Sequence, residues 1–127
     1  MTTTAWSGRD LAEIERRDEL EVAPRRSDGS FSRPRTVWAV RVDDDVYIRS
    51  VRGREGAWYR TTRARHEGHI ATGTVDRDVA FTDVENAEGL EERIDAVYRA
   101  KYARYSGPVA SITAAEARAT TMRLTPQ

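Results

Sequence analysis

Apolar positions along the chain recur with two periods, two residues and about 3.6, and the switches between them mark out the elements. Trp6, Leu11 and Ile14 stand among polar residues, which predicts a short amphipathic helix over residues 6–16 with Ser7 as N-cap. Residues 19–23 alternate and stop at Pro24, an edge-like strand, and Asp28-Gly29 marks the loop that follows. Residues 35–42 form the strongest strand, rich in β-branched and aromatic side chains, and Asp43-Asp44-Asp45 turns it into a second strand over 46–51. Alternation puts Thr36, Trp38, Val40 and Val42 on one face and Val37, Ala39 and Arg41 on the other. In the return strand it separates Val46, Ile48 and Ser50 from Tyr47, Arg49 and Val51. Both faces carry bulk, as in a closed barrel with a helix or a second subunit against its outside.

Residues 57–65 predict a helix with Trp58 and Thr62 inward, its arginines in water and Gly68 as its stop. A second hairpin spans 69–72 and 74–81 around Gly73. It places Val75, Val79 and Phe81 with Arg77 on one face and Asp76 and Asp78 on the other, where two carboxylates read as solvated rather than acid–base groups. Residues 88–105 hold the longest helical pattern, with Leu90, Ile94, Val97, Tyr98, Tyr102 and Tyr105 on one stripe and Asn86 as N-cap. Ser106-Gly107-Pro108 breaks it, 109–112 makes a short apolar turn, and 117–125 alternates as a closing strand. Six strands in antiparallel hairpins interrupted by helices predict an α+β chain, one domain over residues 1–127, whose sheet curls into a small barrel.

Composition narrows the chemistry. Cysteine is absent, which excludes disulfides, thiolate catalysis and cysteine-ligated zinc. The 21 basic and 21 acidic residues cancel, which argues against a nucleic-acid or membrane-surface binder held by bulk charge. Neither a signal peptide nor a membrane span is apparent, so a cytoplasmic protein is expected. The charge is uneven. Arg49, Arg52, Arg54, Arg60, Arg63 and Arg65 crowd one segment against Glu55 alone, while Asp83, Glu85, Glu88, Glu91 and Glu92 crowd another.

The basic segment carries the candidate chemistry. A strand runs through Arg49 and Ser50 into a turn with Gly53 and Gly56 that opens a helix, so backbone N–H groups and nearby guanidiniums could meet a phosphate or carboxylate. The alternative is a solvated basic loop. His66 and His69 stand three apart, but Gly68 breaks the helix that would aim both at one ion and no third ligand is evident, so no metal is expected. A buried phenol must find a partner, which makes Tyr98 and Tyr102 candidate proton donors or substrate anchors if they end near a cavity. Lys101 lies one turn after Tyr98 and reads as a snorkelling surface lysine or a catalytic amine.

Four stretches together resemble an uncharacterised bacterial family of unknown function that covers nearly the whole chain: residues 33–40, 46–50, 53–59 and the run Ile94-Asp95-x-x-Tyr98-Arg99-x-Lys101-Tyr102. The first three also resemble the flavin- and deazaflavin-binding split β-barrels, including the deazaflavin-dependent nitroreductases. The resemblance implies a six-stranded antiparallel split barrel with flanking helices, a homodimer, and FMN or deazaflavin F420 near the subunit interface. It places Arg35 and Thr36 beside the cofactor and Arg49 and Ser50 at its phosphate. Arg52, Gly53, Arg54 and Trp58 belong to the covering loop, and Trp38, Tyr98 and Tyr102 to a substrate pocket. The cofactor-binding relatives commonly carry Lys-Gly-Gly and a proline near this loop, where this chain has Arg52-Gly-Arg-Glu-Gly56. The function implied is an oxidoreductase acting on a small organic molecule. A cofactor-free enzyme of secondary metabolism and a non-catalytic ligand-binding module use the same pocket and stay open.

Overall fold

The computed structural model describes residues 5–84 and 89–127. Among these, helix α1 (Gly8–Arg16) is followed by strands β1 (Leu20–Pro24), β2 (Arg35–Val37), β3 (Ala39–Val42) and β4 (Asp45–Ile48), then a 3-10 turn (Gly53–Glu55) and helix α2 (Ala57–Arg65). Strands β5 (Glu67–Thr72) and β6 (Val75–Asp83), helices α3 (Leu90–Lys101), α4 (Ser106–Ile112) and α5 (Ala115–Arg118), and strand β7 (Met122–Pro126) complete the order.

The seven strands form one antiparallel sheet in the order β2-β1-β5-β6-β7-β4-β3. Its two edges, β2 and β3, are consecutive in the chain and separated by Trp38 alone. The expected single strand over 35–42 is therefore broken: one half pairs with β1 and the other with β4, and this bent segment brings the sheet round into a nearly closed barrel. The break makes the count seven rather than six. Curvature is the reason, since one straight strand cannot ladder with both edges of a curling sheet.

Alternation sorts the side chains as the sequence predicts. Val22, Val37, Ala39, Val46, Ile48, Ile70, Val79 and Leu124 fill the barrel, with Leu11 and Ile14 of α1 and Tyr59 of α2 packed on that cluster. Val40, Val42 and Tyr47 face outward and are covered by Ile94, Tyr98 and Tyr102 of α3. Full burial of each large side chain contributes about 1.5–3 kcal/mol. The expected N-cap Asn86, the helix start at Glu88 and the acidic residue Glu85 lie outside the described residues.

The α3 run also explains itself at the strand break. A break frees backbone carbonyls that a ladder would have used, and buried carbonyls need donors. Tyr98 Oη donates to Trp38 O at 3.0 Å, and Lys101 Nζ donates to Ala39 O at 2.7 Å and Ile14 O at 3.0 Å. Tyr102 Oη donates to Asp18 O at 2.6 Å and Ala39 O at 3.4 Å, and its ring stacks on Trp38 with centroids 3.9 Å apart. Burial pushes the Lys101 amine down to about 8 and both phenols above their ordinary value. Lys101 is thus a pin between α3, α1 and β3.

Three further local readings change. Residues 109–112 are the second half of α4 rather than a turn, because Pro108 sits in the first helical turn, where its missing N–H costs nothing. The closing strand begins at Met122, not at residue 117, since residues 115–118 are taken by α5. The stop of α2 is His66, in left-handed conformation at φ 55°, while Gly68 lies inside β5.

Helix α1 docks through Glu13, whose Oε2 accepts from Thr74 N at 2.9 Å and Thr74 Oγ1 at 3.1 Å at the β5–β6 turn. The Thr74 backbone N–H chiefly, with Arg16 beside it, holds the Glu13 carboxyl at about 2 against an ordinary 4.5. A depressed carboxyl stabilises the fold above its unfolded value, and the contribution disappears as pH falls through the folded one. Chemical denaturation between pH 5 and pH 2 should therefore show a fall in stability that Glu13→Gln flattens; an equal slope in that variant would assign the effect elsewhere.

Candidate functional site

Strand β4 ends at Ile48, and alternation sends the next two side chains to opposite sides of the wall. Arg49 turns outward beneath α3 and is 1 % exposed. Its Nε donates to Thr121 Oγ1 at 2.9 Å, Nη1 to Asp95 Oδ1 at 2.5 Å and Ile112 O at 3.2 Å, and Nη2 to Glu91 Oε1 at 3.0 Å and Glu91 O at 3.4 Å. Asp95 takes Arg118 on its other oxygen, with Nε at 2.9 Å. Burial alone would raise the Asp95 carboxyl, but hydrogen bonds from Arg118 and Arg49 outweigh it and hold it below the ordinary range. Arg49, expected at the ligand phosphate, has its guanidinium wholly taken up by protein acceptors instead.

Ser50 faces the other way. Its N–H donates to Thr120 Oγ1 at 2.8 Å, and its carbonyl accepts from Gly53 N at 2.9 Å. Gly53 needs its left-handed φ of 65° to make this turn, and a Cβ there would lie 3.3 Å from Glu116 O, so α5 backs the loop. Gly56 precedes α2 with no side-chain cap on the first-turn N–H groups. A Cβ on Gly56 would overlap the Ser50 hydroxyl, so only glycine allows this approach. Ser50 is 1 % exposed overall and its Oγ makes no hydrogen bond among the described residues; no wholly buried side-chain polar atom lacks a partner there, so this hydroxyl keeps an opening to the neighbouring cavity.

Two adjoining cavities open here. One, of about 350 Å³, is lined by Arg35, Thr36, Ser50, Val51, Arg52, Gly56, Ala57 and Trp58. The other, of about 210 Å³ and mostly apolar, is lined by Thr36, Val37, Trp38, Arg49, Val51, Trp58, Pro108 and Ile112. They share Thr36, Val51 and Trp58, so the two are ends of one cleft, the first cationic and the second aromatic. Arg35 and Arg52 form no ion pair among the described residues. Their neighbours do: Arg63 meets Asp83 at 2.6 Å, and Arg65 meets Glu67 at 3.6 Å.

Of the residues singled out from sequence, Arg35, Thr36, Trp38, Arg49, Ser50, Arg52 and Trp58 come together in this cleft, Arg49 with its guanidinium N–H groups engaged by the protein. Gly53 shapes the loop from behind, and Arg54 lines a separate groove with Arg60 and Arg63. Tyr98 and Tyr102 line neither end. Both are fully buried with hydroxyls given to backbone carbonyls, so they are core residues and not pocket groups. Sequence reasoning missed Pro108 and Ile112, which arrive from α4 more than fifty positions away with no local signal. His66 and His69 are also outside the cleft. His69 Nδ1 lies 2.8 Å from Asp78 Oδ1 and Nε2 against Asp76, and Asp78 chiefly raises its affinity for a proton. Among the described residues no cluster of three or more such side chains could hold a metal ion, and no helix is long and apolar enough to cross a membrane.

Solved structures share this architecture at low sequence identity. The structure described as the heme storage protein HutZ from Vibrio cholerae is 13 % identical, with a TM-score of 0.64 over 94 % of this chain and 89 % of that one. An F420-H2 dependent reductase is 13 % identical, with a TM-score of 0.60 over 86 % and 94 %. An FAD-binding protein from Mesorhizobium loti is 13 % identical, with a TM-score of 0.55 over 99 % and 92 %. At such identities the likeness establishes the fold, an antiparallel split β-barrel with flanking helices. No curated protein matches the chain in sequence. Residues 10–124 match DUF2255, described as an uncharacterized protein conserved in bacteria, and the chain belongs to that family.

Proposed function

We propose that the cleft holds a flavin-type cofactor, FMN or deazaflavin F420, and that the protein is an oxidoreductase acting on a small organic molecule. One observation carries this reading: an aromatic cavity adjoins a cationic one, with Thr36, Val51 and Trp58 in the lining of both, and a serine hydroxyl in the cationic wall makes no hydrogen bond among the described residues. That pairing suits a ligand with a flat apolar ring at one end and a phosphate at the other. Arg35, Arg52, the Ser50 hydroxyl and the first turn of α2 bind the phosphate. Trp38, Trp58, Pro108 and Ile112 enclose the ring and exclude water. A bound flavin or deazaflavin supplies the hydride chemistry itself, and the protein supplies binding and orientation.

Similarity in fold to an F420-H2 dependent reductase and to an FAD-binding protein supports the same class of ligand. The heme named for HutZ is less favoured, because neither histidine lines this cleft. We also propose a cytoplasmic homodimer, with the second copy covering Val51, an apolar residue 53 % exposed at the cleft mouth.

The test is retention of absorbance after adding FMN or F420 and desalting, in a sample whose mass is measured by light scattering. One cofactor should remain bound to a species of twice the chain mass. Arg52→Glu should weaken binding by about tenfold or more, since charge-assisted hydrogen bonds are each worth about 1.5–3 kcal/mol. Loss of both cofactors from a folded protein overturns the cofactor reading, and a monomer overturns the dimer.

A further inference from the structure

We infer that Arg49 and Thr120 are positioning residues that hold the Ser50 hydroxyl in the cleft for an anion, an inference that rests on the anion-binding reading of the cationic end. Ser50 is fixed from three sides. On its N-terminal side is Arg49, whose side chain is 0 % exposed and whose five contacts, to Thr121, Asp95, Ile112 O and twice to Glu91, occupy all five guanidinium N–H groups. The main chain at position 49 therefore cannot shift without breaking bonds to α3, α4 and the approach to β7. From behind, Thr120 Oγ1 accepts the Ser50 N–H at 2.8 Å and donates to Ala117 O at 2.7 Å. From the loop, Gly53 N donates to Ser50 O at 2.9 Å.

Every backbone polar group of Ser50 is thus satisfied, and the hydroxyl alone is left without a partner beside Gly56. The hydroxyl is not sealed off, since no wholly buried side-chain polar atom lacks a partner among the described residues; it opens on the cationic cavity, where water or a ligand can meet it. A donor fixed by its own backbone bonds and facing a cavity is the arrangement of a preorganised site, held in place before the ligand arrives. Arg49 also joins the two ends of the cleft, because Ile112 gives its carbonyl to Arg49 and its side chain to the aromatic cavity. A lysine at position 49 keeps the charge but lacks the fork that reaches four residues at once.

The experiment is an NMR titration with inorganic phosphate of the full-length protein and of Ser50→Ala, Arg49→Lys and the double variant, each with its melting temperature. Ser50→Ala should weaken phosphate binding about tenfold, the loss of one charge-assisted hydrogen bond. Arg49→Lys should weaken it by a similar factor, and the double variant should stay near tenfold rather than reach about a hundredfold, because both changes act on one hydroxyl. Thr120→Val, which disturbs Ser50 without touching the buried charges, should lower affinity in the natural sequence and leave it unchanged when Ser50 is already alanine. This variant decides the matter should Arg49→Lys fail to fold. Lowered melting temperature with unchanged phosphate affinity in both Arg49→Lys and Thr120→Val overturns the inference, as do losses that multiply in the double variant. Indifference of the natural protein, or of Ser50→Ala, overturns the anion-binding reading itself.

Discussion

Asp95→Ala should destabilise the protein by about 3–5 kcal/mol, a drop of roughly 10–20 °C in melting temperature, with no ligand present. Asp95 is 1 % exposed, and its two oxygens take different arginines, Arg49 at 2.5 Å and Arg118 at 2.9 Å. Removing the carboxylate leaves the Arg49 guanidinium buried, with only Glu91 as a formal counter-charge. Stripping a buried charge of one of its two carboxylate partners is among the costlier outcomes of a single substitution. Arg63→Ala offers the contrast. Its partner Asp83 is half exposed, and an exposed pair contributes about 0–1 kcal/mol. Replacing Arg49, Glu91 and Asp95 together by methionine, glutamine and leucine should recover part of the loss, since no charge is then stranded among the three. Denaturant unfolding of the three variants measures these differences. A cost for Asp95→Ala no larger than that for Arg63→Ala would show that solvent reaches the cluster.

Gly56→Ala should weaken anion binding while leaving the fold almost untouched. The backbone at Gly56, with φ −61° and ψ 135°, suits any residue, so alanine brings no conformational strain. The whole effect comes from the new methyl group, which overlaps the Ser50 hydroxyl and drives it from its place beside α2. Binding of FMN or F420 should weaken about 10- to 100-fold, from loss of one to two donors to the phosphate. The phosphate-free analogues, riboflavin and the deazaflavin riboside, should bind the variant and the natural protein alike. Melting temperature should shift by no more than a few degrees. Equal weakening of phosphorylated and phosphate-free ligands would place the phosphate elsewhere.

The two results separate the sides of one short segment. The Arg49 guanidinium is held by the helices and Thr121, at the back of the aromatic cavity, and carries stability, while the Ser50 hydroxyl opens on the cationic cavity and offers a donor. The arginine-rich composition of residues 49–65 does not distinguish them. Arg49, Arg63 and Arg65 are neutralised within the protein, and Arg35 and Arg52 are the guanidiniums left at the cleft.

Much of this architecture is legible without coordinates, because it depends on neighbours in the chain. Helix α2 spans Ala57–Arg65 as predicted, and the two-residue period separates Val37 and Ala39 from Val40 and Val42, the first pair filling the barrel and the second lying under α3 in the structure. The α3 stripe of Ile94, Tyr98 and Tyr102 is likewise a matter of helical spacing. The antiparallel barrel follows from hairpins with bulk on both faces.

What the chain order does not contain is which distant groups meet. Residues 35–42 have uniform strand propensity, and only the need to pair with β1 at one end and β4 at the other breaks them at Trp38. That break then explains the placing of Tyr98, Lys101 and Tyr102, whose polar tips donate to the carbonyls around it. Arg49 and Asp95 lie 46 positions apart, and Pro108 and Ile112 reach the cleft from α4. Local patterning sets the first two helices, the hairpins, the α3 stripe and the strand-to-helix turn at Gly53 and Gly56, while α4, α5 and the break at Trp38 escape it. Tertiary structure alone decided which arginines are spent inside the protein and which hydroxyl is left for a ligand, because burial and charge pairing are set by contacts across the fold and not by spacing along the chain.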